Sequence, residues 1–152
     1  MELKRIYLDT CVWCRPFDEP SHRVTEEAEA FFRILRMVNA EEVVITSSVV
    51  LDDEIDMIRG DEKREDVNEL VNRAVSERIG YITERYRAIM NILKLKVRDA
   101  AHLACALESN AEYFITADDN ILRKGKDIMQ RYKIKVCAPT EFVESDERED
   151  EF

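Results

Sequence analysis

The sequence has few of the residues that break or staple a chain. Three Gly and three Pro among 152 residues are too few for a collagen-like or a Gly/Pro-rich disordered chain. Four Cys (Cys11, Cys14, Cys105 and Cys137) are too sparse for a disulfide scaffold and fit a reducing compartment. No apolar run approaches the ~18 residues that a membrane-spanning helix needs. Asp9 stands where a secretory signal would carry its apolar stretch. A cytoplasmic protein that does not enter a membrane is therefore expected. A single Gln, Gln130, accompanies 37% charged residues, a balance resembling that of heat-adapted proteins. With 45% hydrophobic residues, the chain can bury a core without staples, and its length suits one domain.

The charge is lopsided. There are 33 Asp+Glu against 23 Lys+Arg, a formal net charge of −10, which argues against bulk affinity for nucleic acid. Its distribution weakens that objection. The segment from Glu144 to Phe152 holds six acids and one base, −5 in all, and reads as a solvated, disordered tail (144–152) behind a single domain (1–143). Two segments run the other way. Residues 85–98 carry five bases and no acid, and residues 123–135 carry six bases against Asp127 alone. They read either as solvated helix faces or as walls of a cleft for a phosphate backbone.

Short apolar or β-branched runs alternate with helical patterns. Leu3 to Leu8, Val43 to Thr46, Tyr113 to Thr116 and Ile134 to Cys137 read as strands. Val24, Ala28, Phe31, Phe32, Leu35 and Val38 fall at helical steps. Ser47 or Ser48 can cap a helix that Arg59-Gly60-Asp61 stops. Charged helices are expected from Glu62 to Lys96, then an Ala-rich helix from Asp99 to Leu107. Buried strands alternating with helices predict an α/β fold with a mostly parallel central sheet covered on both faces.

In such sheets ligands sit beyond the carboxyl ends of the strands. Asp9 and Asp118 occupy that place, where an Asp can equally cap a helix or form a turn. Glu54 has Val50, Leu51, Met57 and Ile58 as its helical neighbours. A carboxylate on an apolar face is costly unless it snorkels, pairs with an Arg or binds a metal. Asp99 opens the Ala-rich helix, where the dipole alone would favour an acid. Four ionised acids at one sheet edge would repel, and a divalent ion resolves that. Hard oxygen donors suit Mg²⁺ or Mn²⁺, which support phosphodiester hydrolysis by activating water.

The runs Tyr7 to Glu19, Ser47 to Glu54, Arg98 to Leu107 and Tyr113 to Leu122 resemble the PIN-domain family, which includes VapC-type toxins of toxin–antitoxin pairs and other small nucleases. The resemblance covers Ile6 to about Val143, with the acids spaced by 45, 45 and 19 residues. It implies a three-layer α/β/α PIN-like fold and a metal site of Asp9, Glu54, Asp99 and Asp118. It also implies a Mg²⁺- or Mn²⁺-dependent ribonuclease with an RNA substrate, a homodimer, and an antitoxin partner if the protein is a toxin. Thr116 would orient the cluster, Thr10 follows its first Asp, and Asn120 falls where many members carry a further acid. Arg98, Arg123 and Lys124 are the candidate RNA contacts, and the acidic tail would compete with RNA for the two basic segments.

Four departures or rivals stand against this reading. Cys11-x-x-Cys14 lies outside the nuclease pattern and could be a redox motif, although Pro16 and Pro20 prevent a long helix from starting there. A site that binds RNA or a partner without cleavage would also fit. An aspartyl-phosphate enzyme would need a second Asp two residues after Asp9, where Cys11 stands. Zinc binding by the Cys with His22 or His102 lacks a matching second ligand pair. His102 is expected to be satisfied locally on its helix, and Trp13 to pack.

Overall fold

A computed structural model describes residues 3–150, with side chains described through Glu147. β1 (Lys4–Leu8) runs into α1 (Thr10–Cys14), a 3-10 turn at Arg15–Phe17, and α2 (His22–Asn39). β2 (Val43–Ser48), α3 (Val49–Asp56), α4 (Asp61–Ala74) and β3 (Val75–Ile79) follow. Then come α5 (Arg85–Leu93), α6 (Val97–Glu108), β4 (Tyr113–Ile115), α7 (Asp119–Leu122), α8 (Gly125–Tyr132), β5 (Lys135–Cys137) and α9 (Pro139–Asp150). The sheet order is β3-β2-β1-β4-β5 and every pair is parallel. The chain winds outward from β1 to β3, then crosses back to β4 on the other side of β1. The carboxyl ends of β1 and β4 thus face the crevice where strand order reverses.

Because successive strand residues face opposite ways, β1 feeds two cores. Ile6 and Leu8 join Phe31, Ile34, Leu51 and Phe142 on one face. Tyr7 joins Phe114, Ile89, Leu103 and Ile128 on the other. The small side chains of Ala100, Ala101, Ala104 and Ala106, all buried, let α6 lie close to the sheet. This is the three-layer α/β/α arrangement, with helices on both faces of a parallel sheet.

Capping follows local chemistry. Ser21 Oγ accepts the Val24 N–H to start α2, and Ser48 Oγ accepts the Leu51 N–H to start α3. Gly60, at φ +94°, makes the turn into α4. The buried stripe of α2 includes Ala30, Phe31, Ile34 and Met37, so Phe32, expected inward, is exposed.

The structure differs from the sequence expectation in two further places. The 62–96 stretch is not all helix, because Val75-Ser-Glu-Arg-Ile79 pairs along β2 as the edge strand β3. Its three central residues face solvent, so it lacks the apolar run of a buried strand. Residues 144–150, expected to be part of a disordered tail, continue α9, while Glu151 and Phe152 lie outside the described residues. The physical reason for the helix is visible in its contacts. Phe142 and Val143 are buried against the sheet, Asp146 pairs with Lys4 at 3.5 Å, and Glu147 pairs with Arg33. Lys4 opens β1, so Asp146 sits at the end of the sheet opposite Asp9. Neither Lys4 nor Arg33 belongs to the basic segments for which these acids were expected to compete.

Candidate metal centre

Asp9 is the first residue beyond β1 and is 6% exposed. Its N–H donates to Ile115 O at 2.9 Å, which ties the end of β1 to the end of β4. Its carboxylate is held at both oxygens. Oδ1 accepts the Thr10 N–H at 2.8 Å, and Oδ2 accepts the Thr116 hydroxyl at 2.8 Å. The Thr116 oxygen in turn accepts the Asp118 N–H at 3.0 Å, so one buried hydroxyl sets the positions of two acids. Asp118 also caps α7, its Oδ1 accepting the Asn120 N–H at 2.8 Å.

Glu54 reaches the same place from α3. Its Oε1 accepts the Thr10 hydroxyl at 3.1 Å and is in direct contact with His102 Nε2. His102 is 1% exposed, and its Nε2 lies 3.7 Å from Asp9 Oδ1. It is therefore satisfied across the sheet edge rather than locally on α6, contrary to the sequence expectation. The available signal was its spacing: Asp99 and His102 are one turn apart and share a helix face. Donor atoms from Asp9, Glu54 and His102 lie within 4.8 Å of one another, close enough to share one ion. Asp99 and Asp118 are not in that tight group.

The charges nevertheless interact. Burial, then the charges of Asp9 and Asp118, push the Asp99 carboxyl up to about 6. Burial alone would raise Glu54, but the hydrogen bond and charge of His102 and the bond from Thr10 hold it below the usual carboxylate range. Burial alone would lower His102, yet the bond to Glu54 and the charge of Asp9 carry it above its usual value. The set offers hard carboxylate oxygens with one imidazole nitrogen, a donor chemistry that fits a divalent cation.

Residues 6–127 match the PIN domain family. The chain belongs to that family. One chain of the crystal structure of VapBC2 from Rickettsia felis bound to a DNA fragment from their promoter has a similar fold, with a TM-score of 0.58 at 12% identity. The match covers 88% of this chain and 98% of that one. No curated protein matches the sequence.

Around the acids of this PIN domain, the other expected residues divide. Arg98 is exposed and lines a groove of about 440 Å³ with Glu54, Met57, Ile82, Tyr86 and Val97. Asn120 Oδ1 is taken by Arg123. Lys124 is committed to structure, its Nζ donating to Leu93 O at 2.6 Å and Lys94 O at 3.0 Å, where α5 ends. The thiols do not form an activated redox pair. Burial and the charge of Asp9 push Cys11 far up, and burial pushes Cys14 up to about 11, the reverse of what a reactive thiol needs. Trp13 packs edge-on against Phe31. Among the described residues, no helix is long and apolar enough to cross a membrane.

Proposed function

We propose that this PIN domain is a ribonuclease that hydrolyses RNA phosphodiester bonds with Mg²⁺ or Mn²⁺ held by Asp9, Glu54, Asp99 and Asp118. The observation that carries the reading is the convergence of Asp9 and Glu54, each oriented by Thr10, at the crevice where strand order reverses. When bound, the ion polarises the phosphoryl group and lowers the pKa of water at the site. The chain's own residues do the rest. Thr116 and the Thr10 N–H fix both oxygens of Asp9. Arg98 meets the phosphate backbone at the rim, and the groove beside Glu54 takes the neighbouring nucleotide against Tyr86 and Met57.

A toxin role in the cytoplasm, with an antitoxin partner and a homodimeric state, extends the proposal; the fold shared with a VapBC2 chain supports its toxin–antitoxin part. The test is cleavage of a mixed set of single-stranded and structured RNAs, with Mn²⁺, Mg²⁺ or chelator, by wild type and Asp99→Asn. Cleavage that needs both metal and Asp99 is expected. Cleavage that survives chelation or the substitution refutes the assignment, and no cleavage together with no metal binding favours a domain that only binds.

A further inference from the structure

We propose that His102 is a nitrogen ligand of this site, oriented by Tyr7 and Ser48, and that the site therefore selects Mn²⁺ over Mg²⁺; this rests on the metal-dependent reading above. A four-carboxylate site needs no imidazole. Here one lies almost fully buried, with Nε2 facing Glu54 Oε1, Thr10 Oγ1 at 3.3 Å and Asp9 Oδ1 at 3.7 Å. Its Nδ1 is 2.6 Å from Tyr7 Oη, which is 2.6 Å from Ser48 Oγ. Imidazoles that bind metal use one nitrogen for the ion while a partner holds the other, fixing tautomer and ring orientation.

The hydrogen bonds can run in the direction that this role requires. Ser48 Oγ accepts the Leu51 N–H at 3.4 Å and has a second lone pair for another donor. Tyr7 can then donate to Ser48 and accept from His102 Nδ1–H, which leaves the Nε2 lone pair directed into the cluster. In the opposite direction Tyr7 donates to Nδ1, and Nε2–H is held by Glu54. Without an ion the second direction holds, because the first would set the Nε2 lone pair against Glu54 Oε1, and an ion at Nε2 is what makes the first direction stable. Mg²⁺ favours oxygen ligands and gives up water reluctantly, whereas imidazole suits first-row transition ions. A nitrogen among the carboxylates therefore favours Mn²⁺.

The experiment is pulsed EPR on the full chain loaded with Mn²⁺, comparing ¹⁴N- and ¹⁵N-histidine protein. The sequence has two His, and His22 is on the surface with its side chain 91% exposed, so the assignment is clean. A histidine-nitrogen modulation that follows the isotope, persists in His22→Gln and vanishes in His102→Gln is expected. By calorimetry, Mn²⁺ should bind at least ~10-fold tighter than Mg²⁺, and Tyr7→Phe should weaken Mn²⁺ binding by about 10–100-fold. If His102→Gln does not fold, the isotope comparison on the unaltered protein and Tyr7→Phe decide. Bound Mn²⁺ with no histidine modulation overturns the inference while leaving metal-dependent cleavage intact. No Mn²⁺ binding overturns both readings.

Discussion

Asp99→Asn should make the metal-free protein more stable while removing its activity. The Asp99 carboxyl is pushed from 3.8 to about 6, a change of roughly two units, or about 3 kcal/mol at full effect. The group is only half-buried, so solvent screening reduces this to about 1.5 kcal/mol. Losing a favourable charge in the first turn of α6 returns about 0.5 kcal/mol. The net gain of about 1 kcal/mol is a rise of roughly 2–4 °C in Tm for a chain of this size. A folded-state pKa above the unfolded one means that stability is fully present below 3.8 and lost as pH rises through about 6. The advantage of the variant should thus appear at pH 7.5 and vanish near pH 4. Thermal unfolding in chelator at both pH values measures it, and adding Mn²⁺ should stabilise wild type more than the variant. A variant less stable than wild type at pH 7.5 in chelator, or equally advantaged at both pH values, would refute the repulsion argument.

Three further outcomes are expected. Arg15→Met leaves the 5%-exposed Glu27 side chain with Arg23 at 3.4 Å as its remaining ion-pair partner, and should cost about 2–3 kcal/mol in denaturant unfolding; a loss too small to measure would mean that the pair is not structural. Asp146→Ala with Glu147→Ala should leave RNA affinity at low salt unchanged, because these acids pair with Lys4 and Arg33; tighter RNA binding would restore the idea of a competing tail. Cys11 and Cys14 should resist a thiol reagent in the native protein at pH 8, since burial raises both; rapid modification would reopen the redox reading.

The sheet was legible wherever burial on both faces produced an apolar run, as in β1, β2 and β4. β3 was hidden because an edge strand with Ser76, Glu77 and Arg78 exposed looks like the charged helices around it. The elements that carry Asp9, Glu54, Asp99 and Asp118 could be read from strand ends and helix faces, which are local properties, but not that Asp9 and Glu54 meet His102 in a tight group that leaves out Asp99 and Asp118. The spacing of His102 from Asp99 gave its helix face but not its partners, because Tyr7, Thr10 and Glu54 come from three other elements that only the fold brings together. The helix after Val143 was hidden for the same reason, since Lys4 and Arg33 are far away in sequence.

The bond between Thr116 and Asp9 joins residues 107 positions apart. During synthesis Asp9 emerges early, but Ile115, Thr116 and Asp118 emerge only after more than three-quarters of the 152 residues have been made. Before then β1 has no β4 beside it, and Asp9 lacks the hydroxyl that fixes one of its oxygens. A chain that ends before Ile115 lacks both the backbone bond and the hydroxyl that tie down Asp9 in the complete fold.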